Sequence, residues 1–437
     1  MPATSLAYRA AARAAVALLP LIRGAAPKLR IGDLARRGAV ARWEAWSQAA
    51  RDRRRPLLWI HAPSVGEGLQ AEAVLALLRE AHPDWQIVYS FFSPSAEALA
   101  RRQPVDCADY LPYDTRTQVD AMLSALEPTA LVFTKLDLWP ELATRARRRG
   151  TRVGLVAGTV SPVSGRRRPV ARALTRPGYA AIDRAGAIAP DDARRLVELG
   201  TDPTRITVLG DPRVDSAFAK VAALPDSWPL AHLTEGAATL VAGSTWEGDE
   251  QVVVDAWRTV QSKHSNARLI LVPHEPVATH LRALTARLAA SGLRGTRLSE
   301  LPDRGVVPRL VIVDRVGILA GLYRGAAMAY VGGGFGRAGL HSVLEPAVCA
   351  IPIVVGPRWQ TSREAGLLID ARAAVALVAD PTEAASQLAA CWSGWLADPV
   401  ARVAAGNAAL RVAEGERGAA RRNADLVATL MAGSPPR

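Results

Sequence analysis

Cysteine is scarce: three residues in 437, Cys107, Cys349 and Cys391, set far apart. An odd number at such separations excludes a metal-ligand spacing, argues against a disulfide framework and points to a reducing compartment. Aromatic residues make up only 5% of the chain and do not interleave with the basic clusters, so the stacking-and-charge pattern of a nucleic-acid binder is missing and no nucleic-acid partner is expected. There is no Asp-x-Asp motif, no His/Cys cluster, no Gly-x-x-x-x-Gly-Lys-[Ser/Thr] loop and no Gly-x-Ser-x-Gly elbow. A dinucleotide fingerprint after the first strand is also absent. Long apolar runs are lacking too: Ala11 to Ile22 is too short to span a bilayer and is broken by Pro20, and no convincing signal-peptide cleavage site follows it.

What is present is a globular composition, 49% apolar and 22% charged, with a net charge of +13. Acidic residues are rare at the start, where residues 1–55 hold 12 Lys/Arg against 3 Asp/Glu. An apolar helix flanked by Arg9, Arg13, Arg23, Lys28 and Arg30 suits an anionic membrane surface, and residues 1–35 are read as a membrane-associating segment. The alternative is a solvated basic helix packed on its own domain. The runs Arg145–Arg149 and Arg166–Arg168 read as faces turned to anionic lipid or a phosphorylated substrate.

Apolar strand-like runs alternate with helical stretches, which predicts α/β architecture with parallel sheets. The predicted strands are 57–62, 86–92, 130–134, 153–158, 185–189 and 206–210, then 238–244, 269–273, 310–314, 327–332, 352–356 and 374–378. Each set supports one Rossmann-like, doubly wound domain. The first is placed at 36–219 and the second at 237–405, with a Pro-containing linker at 220–236 and a C-terminal helix and tail at 406–437. Two such domains facing a cleft is the GT-B glycosyltransferase outline, which other two-lobed binding proteins share.

Two segments carry the chemistry. In Leu57–Gly68 an apolar strand ends in a small-residue turn followed by Glu67. A carboxylate at a strand's carboxyl end lies where open α/β sheets bind ligands and can take a proton from a hydroxyl. Ser64-x-x-Glu67 equally fits a helix capping box. The second segment runs from Tyr330 through Gly332, Gly333, Gly334 and Gly336 to Ser342, Val343, Leu344 and Glu345. Glycines let a ligand approach the backbone, a helix starting near Ser342 offers N–H groups to a phosphate, and Glu345 can bond ribose hydroxyls. Ser342-x-x-Glu345 is again a capping-box spacing.

Further strand ends add His274 and Glu275 after 269–273, and Ser244-Thr245-Trp246-Glu247 after 238–244. Lys135 and Asp137 follow strand 130–134, either as a charge pair or as an exposed helix start capped by Thr134. Arg213 follows strand 206–210 and can hold a phosphate or carboxylate in bidentate fashion, or pair with Asp211 or Asp215.

Taken in order, His61-Ala-x-Ser-Val-Gly-Glu67, Tyr110-Leu-Pro-Tyr-Asp114, Leu138-Trp-Pro140 and Leu344-Glu-Pro346 resemble the 3-deoxy-D-manno-octulosonic acid (Kdo) transferases of lipopolysaccharide synthesis, from about residue 5 to 420. The resemblance implies an inverting, metal-independent GT-B enzyme that moves Kdo from CMP-Kdo to a lipid A precursor. It needs no cofactor and would work at the cytoplasmic face of the inner membrane. It implies Glu67 as general base, with the Trp-Pro segment, including Lys135 and Asp137, and Arg213 supporting the transition state. It implies a CMP site at His274, Glu275, Val316, Gly317, Ile318, Gly333, Gly334 and Ser342 to Glu345.

The chain departs from the family's usual spelling. Lys135 and Asp137 stand where two glutamates are usual, Ala157–Ser161 lacks the usual arginine, and Pro273-His-Glu275 replaces Pro-Arg-His. Leu340-His-Ser342 likewise replaces Gly-His-Asn. Together these spell a divergent branch.

Overall fold

The apolar runs become strands of two separate parallel sheets because both faces of each sheet are covered, which demands continuous rather than alternating hydrophobicity. The structure, a computed structural model, describes residues 4–22, 27–302, 305–336 and 339–433. The chain divides into two compact units, Met1–Ser216 with Arg417–Arg437, and Ala217–Glu416.

The first unit runs α1 (Leu6–Ile22), α2 (Pro27–Arg36), α3 (Ala39–Ala50), β1 (Leu57–His61), α4 (Val65–Ala81), β2 (Gln86–Phe91), α5 (Glu97–Ala100) and β3 (Cys107–Tyr110). It continues with α6 (Arg116–Leu126), β4 (Ala130–Thr134), α7 (Pro140–Arg148), β5 (Arg152–Gly158), α8 (Pro169–Ala180), β6 (Arg184–Ala187), α9 (Pro190–Leu199), β7 (Ile206–Val208) and the start of α10 (Pro212–Ala222), whose residues from Ala217 onward belong to the second unit. The sheet order is β3-β2-β1-β4-β5-β6-β7. Direction of winding reverses between β1 and β4, so their carboxyl ends flank the topological switch point. Register puts His61 opposite Phe133, which sets the turns after β1 and β4 side by side.

The second unit runs β8 (Ala238–Thr245), α11 (Glu247–Lys263), β9 (Ala267–Pro273), α12 (Ala278–Ala290), β10 (Thr296–Arg297), β11 (Leu310–Ile312), α13 (Leu319–Gly325) and β12 (Met328–Val331). Then come α14 (Leu344–Val348), β13 (Ile353–Val355), α15 (Arg363–Asp370), β14 (Ala374–Ala376), α16 (Pro381–Ala397) and α17 (Pro399–Gly415). Its order, β10-β11-β9-β8-β12-β13-β14, places the switch point between β8 and β12.

All twelve expected strands form; β3 and the two-residue β10 were not anticipated. Both lie at sheet edges, and β3 is only half-buried over most of its length, so neither carries an apolar run. The domain limits also differ from the sequence reading. Much of the expected linker 220–236 belongs to the second unit's packing: Trp228 and Leu230 lie against the cluster around Val241, Ile270 and Tyr323, which also contains buried Leu233. The stretch 406–437 is not one appendage. α17 stays with the second unit, whereas α18 (Ala419–Ala432) packs on the first. Its Leu426, Val427, Leu430 and Met431 join the core containing Leu58, Ile60, Val132 and Val156. Asp215 receives the Gly418 and Ala420 N–H groups at 2.7 Å each, tying down the start of that helix. Among the described residues no helix is long and apolar enough to cross a membrane.

Candidate functional site

In the first unit the sheet delivers Glu67 and Lys135 to the two sides of the switch point. β1 is buried throughout and ends at His61; the turn Ala62–Ser64 leads directly into α4, whose first turn holds Glu67. The expected capping box does not form, since the Ser64 side chain caps no backbone N–H. Instead the Ser64 hydroxyl donates to Glu67 Oε2, and Lys135 Nζ donates to Glu67 Oε1 at 3.0 Å. The carboxylate side chain is 13% exposed and the lysine's 42%, so the charge faces inward while its partner reaches solvent. Burial pushes the Glu67 carboxyl up. The Lys135 charge and the hydrogen bonds from Ser64, Lys135 and its own backbone outweigh this, and the net shift is downward. Glu67 is therefore ionised at neutral pH.

Lys135 holds a left-handed backbone, φ 65°, a strained conformation for a lysine. Thr134 is fully buried in the last position of β4 and does not cap a helix; α7 begins only at Pro140. Between them, Asp137 pairs with Arg166 and not with Lys135. Burial raises its carboxyl pKa, with the Arg166 charge opposing and Glu67 adding to the rise.

His61 lies beneath this turn, wholly buried. Trp139 Nε1–H donates to its Nε2 at 3.0 Å, which leaves Nδ1 to carry the proton and donate to the Ser90 carbonyl at 3.0 Å. Burial drives its pKa down to about 3, so the imidazole is neutral and serves as a fixed acceptor for Trp139. Phe92 packs against Trp139 at 4.9 Å between centroids. The ends of β2, β1 and β4 are thus locked together below the Glu67–Lys135 pair. Arg213, at the start of α10, donates through Nε to Asp211 Oδ2 at 2.8 Å and also through Nη2 to the same oxygen, the pairing left open by the sequence.

In the second unit the corresponding pair of strand ends carries Trp246 and the glycine turn. Asp249 is fully buried and accepts from Trp246 N at 3.0 Å, Gly333 N at 2.8 Å and Tyr330 OH at 2.8 Å. It bridges the switch point. The glycines have a packing reason of their own: Gly333 sits at φ +97°, and a Cβ there would lie 2.1 Å from the Gly339 carbonyl oxygen. A Cβ on Gly334 would lie 2.6 Å from Gly356 Cα. Because the Gly333 N–H is taken by Asp249, the turn does not offer that donor to a phosphate.

His274 stacks on His341 at 4.2 Å and on Trp246 at 4.8 Å, and Trp246 Nε1–H donates to His341 Nε2 at 2.9 Å. Burial lowers the His341 pKa to about 4, with His274 contributing, and burial lowers that of His274 also. His274 thus lies over the faces of the edge-to-edge Trp246–His341 pair, and both imidazoles are neutral. Glu275 lines an open cavity of about 530 Å³ with Trp246, Glu247, Val277 and His280.

Other expected contacts are placed differently. α14 has only five residues and starts at Leu344, two positions later than the sequence suggested. Val343 and Leu344 are 1% and 5% exposed core residues, so only their backbone is available to a ligand. Ser342 Oγ accepts from the Leu344 N–H, and Glu345 pairs with Lys220 of α10 in place of closing a capping box. Val316 and Gly317 are exposed in the turn before α13, and Ile318 packs against the core. Asp249 and His341 gained no individual role from the sequence, which marks Ser64 only as a helix cap and Arg166 only as part of a basic face. Their partners lie on other elements, and only the strand-end positions of Ser64 and His341 pointed to them.

A family model described as 3-deoxy-D-manno-octulosonic-acid transferase (kdotransferase) matches residues 36–216. The 3-deoxy-D-manno-octulosonic acid transferase of Bordetella pertussis is 27% identical over 431 residues, covering 93% of this chain and 97% of that protein. The protein of the same name from Chlamydophila psittaci is 27% identical over 318 residues, 71% of each chain. Among solved structures, UDP-GlcNAc 2-epimerase from Neisseria meningitidis bound to UDP-GlcNAc superposes with a TM-score of 0.63 at 10% identity, covering 86% of this chain and all 100% of that one. A glycosyltransferase from Rickettsia africae gives 0.61 at 10% identity, covering 87% and 100%. At such identities the structural likeness speaks for the fold alone.

Proposed function

Because the chain belongs to the 3-deoxy-D-manno-octulosonic acid transferase family, we propose that it transfers Kdo from CMP-Kdo to a hydroxyl of a lipid A precursor, with inversion and with Glu67 as general base. The observation that supports this most is the state of Glu67: ionised, at a switch point, held by side chains and unused as a helix cap. In this reading Glu67 takes the acceptor hydroxyl's proton as the new carbon–oxygen bond forms at the ketosidic carbon. The bond from that carbon to the CMP phosphate breaks, and its electron pair leaves with CMP.

Lys135 keeps the base charged before the acceptor arrives, and Asp137–Arg166 fixes the turn that carries it. Positive charge grows on the sugar and negative charge on the departing phosphate, so preorganised dipoles and charges must answer both. In this reading the nucleotide binds the second unit, where the stacked rings of Trp246, His274 and His341 stand beside polar Glu275. Metal independence is part of the proposal: an excess of EDTA is expected to leave the rate unchanged, and loss of activity restored by a divalent cation would refute it.

In this reading the acceptor lies at a membrane surface. α1 exposes Leu6, Leu18 and Leu21 at 81%, 53% and 79%, and Val163 and Val170 before and within α8 are 85% and 73% exposed. Arginines of the same segments, Arg13, Arg168 and Arg172, suit anionic headgroups on the cytoplasmic face of the inner membrane. Flotation with phosphatidylglycerol-containing vesicles, weakening as salt rises, tests this part; binding indifferent to lipid charge would count against it.

A further inference from the structure

The start of α7 has an end-group problem that its own sequence does not solve. Pro140 lacks an N–H and Trp139, the N-cap, has no side-chain acceptor, so the Glu141 and Leu142 N–H groups need a partner from elsewhere. Asp114 supplies it: its two oxygens accept from Glu141 N at 2.9 Å and Leu142 N at 2.8 Å. The same carboxylate accepts from Tyr8 OH of α1 at 2.7 Å. Next to it Glu141, 0% exposed, accepts from Arg9 Nε at 3.0 Å and from the Thr4 hydroxyl. Two buried carboxylates at the head of α7 are therefore answered in part by side chains from the first turns of the chain. Buried carboxylates without such partners are costly, so the arrangement holds both sides in place.

Five residues separate the end of β4 from α7, and they include Lys135, Asp137 and Trp139. Moving the first turn of α7 moves that turn and, through Lys135, the partner of Glu67. We infer that Thr4, Tyr8 and Arg9 form a clasp on Asp114 and Glu141 that positions the 135–139 turn, so that α1 sets the geometry of the base's partner as well as meeting the lipid surface. Tyr8, Arg9, Asp114 and Glu141 are positioning residues, acting through the turn and touching no substrate. The inference rests on the transfer reading for its kinetic arm only.

The experiment uses the full chain with Tyr8→Phe and Arg9→Met, and Leu18→Ser with Leu21→Ser as a lipid-face control. Amide hydrogen exchange across residues 135–144, vesicle flotation, and kcat and KM for transfer from CMP-Kdo are measured together. Each clasp variant is expected to speed exchange at Glu141 and Leu142 about tenfold, the scale of one lost hydrogen bond. With it kcat falls while KM for CMP-Kdo and flotation hold. The lipid-face variant lowers flotation and leaves exchange unchanged. Unchanged exchange in both Tyr8→Phe and Arg9→Met overturns the clasp. Faster exchange with an unaltered kcat overturns positioning and leaves a structural tie. If the wild-type protein transfers no Kdo, the transfer reading fails, and the exchange data still decide the clasp by the same criterion.

Discussion

Glu67 keeps its charge in a confined turn because Lys135 and Ser64 answer it, and this balance can be moved one residue at a time. Lys135→Met removes the leading influence that opposes burial, so the Glu67 pKa should rise. The acidic limb of the pH–kcat profile then shifts to higher pH, toward the ordinary glutamate range. A limb that stays put would detach Lys135 from the base. The linked stability term has a matching sign. A depressed carboxylate pKa gives stability present above the unfolded value and lost as pH falls through the folded one, and Lys135→Met should erase that loss in acid unfolding. At this scale the sequence named Glu67 and Lys135, with Lys135 either the charge partner of Asp137 or part of an exposed helix start capped by Thr134. The observed pairing depends on the left-handed backbone of Lys135 and on Arg166, which lies 29 residues beyond Asp137 and takes that carboxylate, neither of which local spacing reveals.

Among elements, capping-box spacing misled at two helix starts, and two other starts are tied by side chains from far along the chain. Ser64-x-x-Glu67 and Ser342-x-x-Glu345 both have capping-box spacing, yet each glutamate turns to a lysine on another element, Lys135 and Lys220. Ser362, Asp380 and Asp398 cap α15, α16 and α17 locally, whereas α7 and the start of α18 are tied from a distance by Asp114 and Asp215. Strands were legible because burial on both faces leaves apolar runs; ties across the chain were not, because they depend on which elements meet. Asp249→Ala tests the bridge between the strand ends of the second unit. It leaves the Trp246 and Gly333 N–H groups and the Tyr330 hydroxyl without this acceptor, at about 1–3 kcal/mol for a buried donor. Denaturant unfolding should report that loss, together with weaker CMP binding. Stability equal to wild type would mean that water or a rearranged loop replaces the carboxylate.

For the whole molecule, the chain's return through α18 makes the first unit depend on residues far from it in sequence. Removing residues 417–437 takes Leu426, Val427, Leu430 and Met431 from the core of the first unit and leaves the residues of the second unit, Ala217–Glu416, in place. Limited proteolysis should then digest the first unit and spare the second; equal resistance of both would contradict this dependence. The two doubly wound units were readable from the rhythm of strands, but the return of α18 was not, since an amphipathic helix does not declare which core it covers. The central claim, Kdo transfer with Glu67 as base, is tested most directly by mass spectrometry of a lipid A precursor incubated with CMP-Kdo and either wild-type protein or Glu67→Gln. The account predicts a product heavier by one or more Kdo units with wild type, formed about 10²–10⁴-fold more slowly by the folded variant. Product formed equally fast by both would reduce Glu67 to a structural residue, and no product from folded wild type would contradict the donor or the acceptor.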